Sequence, residues 1–389
     1  METRKLYYED CLLREFSATV TGCVPAENGY LITLDATAFY PEGGGQACDL
    51  GTLGDSRVLD VQERDSEVQH LCDKPLTVGS TVTGQLDWER RFDLMQQHAG
   101  EHILSGLIHR RFGYHNVGFH VGQEVLEVDF DGPIPAEALT ELETLANQAV
   151  WENLPVRCWI PSAQELPDVH YRRKRELPWP VRIVEFPGYD ACACCGVHVA
   201  YTGQIGLIKI LSCVKFHQGV RLEMVCGKRA YDHLCRVYEQ NRQISQLLSS
   251  KPLETAPAVR QLQERLGAEK YRCSALEKRM FAAIAAGYQG IDNPVHFEEG
   301  LSSAALRELT DAIASTCSGI AAVFSGTDAE GYSFCLISSR EDVSGLGNAL
   351  TQELGGRGGG RSGAFQGSIK ATRQEIAALF DRFCRINGL

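Results

Sequence analysis

Gln97-His98-Ala99-Gly100-Glu101-His102, set within the run from Asp87 to Phe112, decides how this chain is read. Leu94, Ile103, Leu104, Leu107 and Ile108 fall on one side of the run. Asp87 offers an N-cap and Gly113 a stop, so the pattern predicts an amphipathic helix over 88–112. Residues four apart on a helix face the same way, with roughly 5–6 Å between Cβ atoms, so the imidazoles of His98 and His102 can converge on one ion. A second pair, Cys194 and His198 in Cys194-Cys195-Gly196-Val197-His198, follows a strand-like run from Val181 to Phe186 and a Pro187-Gly188 turn, and is expected on a loop. Three imidazoles and a thiolate are a borderline-soft donor set that suits Zn²⁺, with bonds of about 2.0–2.3 Å. The expectation is one zinc ion per chain, pinning a loop to a helix through His98, His102, Cys194 and His198.

Other readings of the same residues stay open. H-x-x-x-H also arises from two unrelated histidines, and the cysteines of Cys192-Ala193-Cys194-Cys195 can be small buried hydrophobes. Cys192 and Cys195 are expected not to be ligands. His98 to His102 also matches the H-x-x-E-H pattern of inverzincin peptidases, with Glu101 as general base. That reading needs a carboxylate ligand further along the chain and leaves Cys194 and His198 without a role.

The 389 residues leave room for two to four domains, and 44% hydrophobic with 23% charged residues is ordinary for a globular protein. Fifteen cysteines, scattered from Cys11 to Cys384, and a start without an apolar segment point to a reducing cytoplasm. A net charge of −12 argues against a generally basic nucleic-acid binder. It leaves local basic faces open, at Arg172-Arg173-Lys174-Arg175, Arg110-Arg111 and Arg357 to Arg373.

The chain reads as α+β and multidomain. Residues 1–86 carry short strand patterns, Lys5–Tyr8, Ser17–Val24, Tyr30–Ala36, Arg57–Gln62 and Thr81–Leu86, which suit a small, mostly antiparallel β-barrel. Among them lies Gly43-Gly44-Gly45-Gln46, a backbone that turns sharply or lets something approach closely. Residues 87–228 hold both metal-ligand pairs, with strands near Val125–Phe130, Val156–Ile160, Ile205–Lys215 and Val220–Cys226 and a helix over Pro135–Glu152. Residues 229–286 turn helical, broken at Ser249-Ser250-Lys251-Pro252. Val259, Leu262, Leu266, Glu269, Cys273, Leu276, Met280 and Ala283 keep a 3-4 spacing, seven of the eight apolar, which makes a coiled-coil seam for a helical hairpin or for a homodimer through the helical or C-terminal region. Residues 287–389 read as a separate α/β domain, with strands Ile320–Phe324 and Ser333–Ile337 and helices Ser344–Leu354 and Lys370–Phe383. The Gly355–Gly367 stretch between those helices, with Arg357 and Arg361, is expected as a loop suited to phosphate.

Taken in order, Phe39-Tyr40-Pro41-Glu42-Gly43-Gly44-Gly45-Gln46, the His98/His102 helix, Cys194-Cys195-Gly196-Val197-His198 and Thr202-Gly203-Gln204-Ile205-Gly206 resemble the editing region of alanyl-tRNA synthetases. The glycine- and arginine-rich stretch resembles the C-terminal domain that those synthetases share with DHH phosphoesterases. The barrel begins almost at residue 1, which leaves no room for a class II aminoacylation domain. The chain therefore resembles the long form of the free-standing AlaX family of alanyl-tRNA editing proteins. The resemblance implies hydrolysis in trans of tRNA(Ala) charged with serine, or also with glycine. It implies that His98, His102, Cys194 and His198 hold zinc.

An alanine pocket discriminates poorly against small competitors, since one small group is worth only about 1–3 kcal/mol, and a second hydrolytic site supplies what is missing. Gly44, Gly45 and Gln46 are expected near the acceptor end of the tRNA, and Arg357 and Arg361 on phosphate away from the ester. Gln46, Glu101 and His120 are the expected polar contacts to the seryl hydroxyl, and Glu101 is also the expected general base. Four protein ligands normally mark a closed structural zinc site, which leaves a non-enzymatic tRNA-binding protein as the alternative to an ester hydrolase.

Overall fold

The computed structural model describes residues 2–173 and 179–388, so Lys174 and Arg175 of the basic run lie outside the described residues. The chain divides into two compact units, Met1–Gln243 and Ile244–Leu389. Among the described residues no helix is long and apolar enough to cross a membrane.

The first unit opens with β1 (Arg4–Lys5) and a single helical turn, α1 (Leu6–Glu9). The segment Lys5–Tyr8, expected as a strand, is thus mostly helical. Neighbouring side chains in a strand point to opposite faces, whereas the rings of Tyr7 and Tyr8 lie edge to face, 4.6 Å apart, against the same core. The chain continues through β2 (Glu15–Ala26), β3 (Gly29–Leu34), β4 (Ala36–Thr37), β5 (Gly51–Leu53), β6 (Ser56–Arg64), β7 (Glu67–Cys72) and β8 (Thr81–Leu86). Six of these close the barrel in the order β2-β3-β7-β6-β5-β8, while β4 pairs in parallel with β1. Alternation along β2 sends Phe16, Ala18 and Val20 inward.

Helix α2 (Trp88–Phe112) starts where Asp87 accepts a hydrogen bond from the Arg90 amide and stops at Gly113 in the left-handed region. After it come β9 (Asn116–Val121), β10 (Leu126–Phe130), α3 (Ala136–Glu152), β11 (Arg157–Trp159), β12 (Ile183–Phe186), β13 (Asp190–Ala193), β14 (Ile208–Phe216) and β15 (Gly219–Cys226). The strands form two antiparallel sheets, β14-β15-β10-β9 and β11-β12-β13. The expectation of an amphipathic α2 is overturned, because every residue from Leu94 to Ile108 is buried. Packing against α3, β9, β13 and β15 encloses the helix on all sides. Its polar residues are therefore interior groups, and each needs a partner. Arg91 forks onto Asp49, both fully buried, and donates to the Ala38 carbonyl. Asp49 in turn accepts from the Tyr40 amide at 2.6 Å, so the segment leading into the triple glycine is tied to the helix. Gln97 is bonded to both the amide and the carbonyl of Cys226.

Helix α4 (Gly227–Leu247) follows β15, and the second unit contains α5 (Thr255–Ala286), β16 (Val295–Glu298), α6 (Ser303–Ala314), β17 (Ala321–Thr327), β18 (Gly331–Ile337), α7 (Ser344–Glu353), β19 (Arg357–Arg361), β20 (Ala364–Ile369) and α8 (Arg373–Asn387). The five strands run β16-β17-β18-β20-β19, and only β16 and β17 are parallel. An α/β domain is the expectation here, but the β17–β18 and β19–β20 hairpins and the antiparallel β18–β20 pair make the sheet mainly antiparallel. The glycine-rich stretch expected as a loop is the β19–β20 hairpin. A Cβ at Gly358 or Gly360 would meet a β20 carbonyl oxygen at 2.6 or 2.1 Å, so these glycines let the strands pair closely. Arg357 and Arg361 share the opposite, exposed face of an edge strand. On α5 the seam residues Val259, Leu262, Leu266, Leu276 and Met280 are 39–54% exposed, and only Phe281 and Ala285 are buried, beside Leu306, Leu309 and Ile313.

Inside the barrel His70 is fully buried, with Nδ1 3.1 Å from the Ile32 carbonyl and Nε2 2.9 Å from the Thr37 hydroxyl. A carbonyl only accepts, so Nδ1 carries the proton and Nε2 accepts from Thr37. Burial pushes this imidazole down from 6.5 to about 4. The unfolded chain therefore binds a proton there that the folded one refuses. The contribution to stability is complete above pH 6.5 and is lost as pH falls toward 4, on the order of 3 kcal/mol. Denaturant titrations of the wild type and His70→Gln over this range should show a shallower acid loss in the variant, and parallel profiles would contradict the assignment.

Candidate metal centre

The α2 spacing sets the first half of the site: His98 and His102 lie one turn apart with ring centroids 5.2 Å apart. Cys194 and His198 arrive on the segment after β13, and the four donor atoms all lie within 4.8 Å of one another. Cys194 Sγ is 3.5 Å from His98 Nε2 and 3.4 Å from His198 Nε2. A tetrahedron with bonds of about 2.0–2.3 Å has edges of about 3.3–3.8 Å, so these separations fit donors around one small cation. No carboxylate belongs to this group, as an inverzincin would require.

Hydrogen bonds behind the rings aim them. His98 Nδ1 lies 2.9 Å from Gln46 Oε1, and His102 Nδ1 lies 2.9 Å from Asp190 Oδ2. Both partners are acceptors, so each Nδ1 carries the proton and each Nε2 lone pair points into the cluster. Asp190 also receives two bonds from Arg172, at 2.6 and 2.8 Å. Burial alone would raise the Asp190 carboxyl, but His102 and Arg172 hold it below its ordinary range. Burial likewise favours the neutral thiol of Cys194, yet the imidazoles of His98 and His198 hold it well below the usual thiol range, which favours the thiolate. Burial, with His98 beside it, pushes His198 down to about 3, so that ring is a neutral donor. The Cys194 thiolate and the neutral His198 ring are protonation states a divalent cation needs. Burial alone would lower His102, but its bonds to Asp190 and Cys194 hold it well above its ordinary range, so a cation bound there would displace its proton.

The Cys194–His198 segment is held by its carbonyls. Arg182 donates to the carbonyls of Cys194 and Gly196, each at 2.9 Å, and its guanidinium lies 4.4 Å from the centre of the Tyr8 ring. Tyr8 itself donates to the Cys195 carbonyl at 2.6 Å. From the other side comes the triple glycine, where Gly44 and Gly45 have φ of 60° and 84°. This reversal brings Gln46 back to His98 and to the Val197 amide. A Cβ on Gly45 would lie 2.3 Å from the Phe119 ring, so side-chain-free backbone is required there.

A cavity of about 680 Å³ opens beside the cluster. Among the expected site residues, Glu101 and Gly44 line it together with His98, His102 and Cys194. Glu101 is 4% exposed, and its Oε1 accepts from Ser105 at 2.5 Å and from Asn116. Gln46 is buried behind His98 and does not line the cavity. His120, expected as a substrate contact, is also outside the lining: it is exposed on β9 opposite Glu127. The two-residue period of the strand sends Phe119 inward instead, stacked on His98 with ring centroids 5.0 Å apart. Arg357 and Arg361 belong to the second unit. Arg172, expected on a basic surface face, turns onto Asp190 instead, and Asn116, Phe119, Arg182 and Asp190 carry no expectation from the sequence. The alternation of β9 could have flagged Phe119, but the others carry no local motif.

Three family models match the chain. They are tRNA synthetases class II (A) over residues 4–90, the threonyl and alanyl tRNA synthetase second additional domain over 181–238, and the DHHA1 domain over 285–386. The first covers the barrel and the second contains Cys194 and His198. The alanyl-tRNA editing protein Aarsd1 of Danio rerio is 30% identical over 393 residues, spanning 95% of each chain. That of Rattus norvegicus is 30% identical over 411 residues, spanning 97% of each. An alanine–tRNA ligase of Ignicoccus hospitalis is 33% identical over 303 residues, 75% of this chain but only 33% of the ligase. With near end-to-end similarity to the editing proteins and the His/Cys cluster at its centre, the chain belongs to the alanyl-tRNA editing protein family.

Proposed function

We propose that this protein is a trans-editing hydrolase that holds one zinc ion at His98, His102, Cys194 and His198 and deacylates Ser-tRNA(Ala), and more slowly Gly-tRNA(Ala). The observation that carries the proposal is the convergence of four metal-type donors at the edge of a cavity that also contains a buried carboxylate. Zinc bound there would supply a Lewis acid, polarising the ester carbonyl or lowering the pKa of a water toward roughly 7.

The remaining work falls to the chain. Glu101 is the only carboxylate among the described residues lining the cavity. Its Oε1 is fixed by Ser105 and Asn116, so the group is held ready to take a proton from the attacking water. Gln46 and Asp190 hold the two α2 imidazoles in their ligand tautomer. Addition of water to the ester carbonyl and departure of the ribose oxygen yield free amino acid and uncharged tRNA. Gly44, at the cavity edge, offers backbone without a side chain to the acceptor end. Arg357 and Arg361, exposed on β19 of the second unit, offer two cations to tRNA phosphate.

Incubation with Ser-, Gly- and Ala-tRNA(Ala), following ester loss with and without a chelator, tests the proposal. The expected order is seryl, then glycyl, with alanyl barely touched, and the chelator abolishing turnover. Equal rates on seryl and alanyl esters would overturn it. Glu101→Gln should lower kcat by roughly 10²–10⁴-fold with the metal retained, and unchanged kcat would remove the carboxylate from proton transfer. The double replacement of Arg357 and Arg361 by Ala should weaken tRNA binding and reduce its salt slope by about one per arginine. Filter binding at several salt concentrations measures this, and an unchanged slope would remove the hairpin from the tRNA surface.

A further inference from the structure

The open space beside the metal cluster continues past the cluster. A second cavity, of about 930 Å³, adjoins the first, and His115, Arg172 and Arg173 line both. It follows α2 toward the C-terminal end of the helix, because Gly106, His109 and Arg110 belong to its wall. At a rise of about 1.5 Å per residue these three lie roughly 6–12 Å beyond His102 along the helix.

In a chain with a net charge of −12, this wall gathers cations. His109, Arg110, His115, His170, Arg172 and Arg173 line it with two carboxylates, and both carboxylates are already paired. Asp190 is held by Arg172 and His102, and Glu185 lies 3.7 Å from Arg157. Arg110 commits Nη2 to the Gly188 and Tyr189 carbonyls, at 2.6 and 2.9 Å, which fixes the guanidinium without neutralising it. His109 donates from Nδ1 to the Tyr114 carbonyl at 3.0 Å, and the His115 ring lies 5.0 Å from its own. Tyr171 and Tyr189 complete the wall, so positive charge and aromatic surface occur together. That pairing suits single-stranded nucleic acid, whose backbone follows the cations while its bases stack on the rings. A cavity of this volume admits one or two unpaired nucleotides and excludes a duplex.

We propose that the single-stranded acceptor end of the tRNA reaches the metal through this second cavity, its last phosphodiester groups against Arg110, Arg173 and His115 and its bases against Tyr171 and Tyr189. The inference rests on the deacylase reading above and deepens it by fixing the course of the bound strand. The ester lies at the metal, the terminal nucleoside between the metal and Gly44, and the strand leaves along α2 toward Gly188.

An uncharged minihelix that ends in the unpaired acceptor nucleotides tests this without any hydrolysis. Replacing its last two phosphodiester linkages by neutral methylphosphonates should weaken binding to the unaltered protein by roughly 10-fold at low salt and reduce the salt slope by about 0.7 per linkage. The double replacement Arg110→Gln and Arg173→Gln should weaken the unmodified minihelix to a similar extent. It should leave the methylphosphonate minihelix bound as the unaltered protein binds it, because losses at one shared contact do not add. Additive losses would put the arginines and the linkages at separate contacts and overturn the proposal. Equal affinity of the unaltered protein for both minihelices would overturn it as well. Should loss of the Arg110 clamp unsettle the turn at 188–189, as a fall in thermal midpoint would reveal, Arg173→Glu completes the same cycle alone. Absence of binding to either minihelix would instead sink the tRNA reading of the protein, and this inference with it.

Discussion

Helix α2 is enclosed on every side while carrying a guanidinium, two imidazoles, a carboxylate and three further polar side chains, and the architecture of the first unit follows from satisfying them. A buried polar group without a partner costs about 1–3 kcal/mol, and a buried charge considerably more. Arg91 is matched by Asp49 of the barrel segment, Gln97 by the backbone of β15, His98 by Gln46, His102 by Asp190, and Glu101 by Ser105 and Asn116. The partners come from the barrel, from both sheets and from the helix itself. Each piece of the first unit is thereby registered against one helix. The barrel segment serves the site as well as the fold: Gln46, which reaches His98, lies between Tyr40 and Asp49, and Asp49 accepts from both the Tyr40 amide and Arg91.

The same bonds make the cluster suited to a cation. Acceptors placed behind His98 and His102 leave only the inward nitrogens free, and the surrounding imidazoles favour the thiolate of Cys194. The second half of the site is a segment with little regular structure of its own, so its carbonyls are anchored by Arg182 and Tyr8. This arrangement leaves one side open to a cavity, where Glu101 and Asn116 stand beside the cluster and Phe119 covers His98. The proposed division of labour places metal chemistry on one wall and proton transfer on another.

Local features were legible in the sequence. The limits of α2 follow from Asp87 and Gly113, and the four-residue spacing of His98 and His102 is visible wherever a helix can be inferred. Cys194 and His198 were legible as a pair because a short loop motif carries them. Features set by register were not. Nothing near Asp190, Arg172 or Asn116 announces that these residues meet His102 and Glu101, since strand pairing and helix packing bring them there. Reading α2 as amphipathic failed because the pattern of apolar residues does not reveal polar residues satisfied in the interior. The glycine-rich stretch forms a hairpin where its composition suggests a loop, because glycines that free a loop and glycines that let two strands pair closely look alike in one dimension.

The central claim is that four side chains from two distant parts of the chain share one ion. Anomalous scattering from a crystal of the purified protein, recorded on both sides of the zinc absorption edge, tests it most directly. The account predicts a single peak per chain, present only above the edge, at bonding distance from His98 Nε2, His102 Nε2, Cys194 Sγ and His198 Nε2. The absence of a peak there, or a peak held instead by Asp190 and Cys192 beside His102, would contradict it.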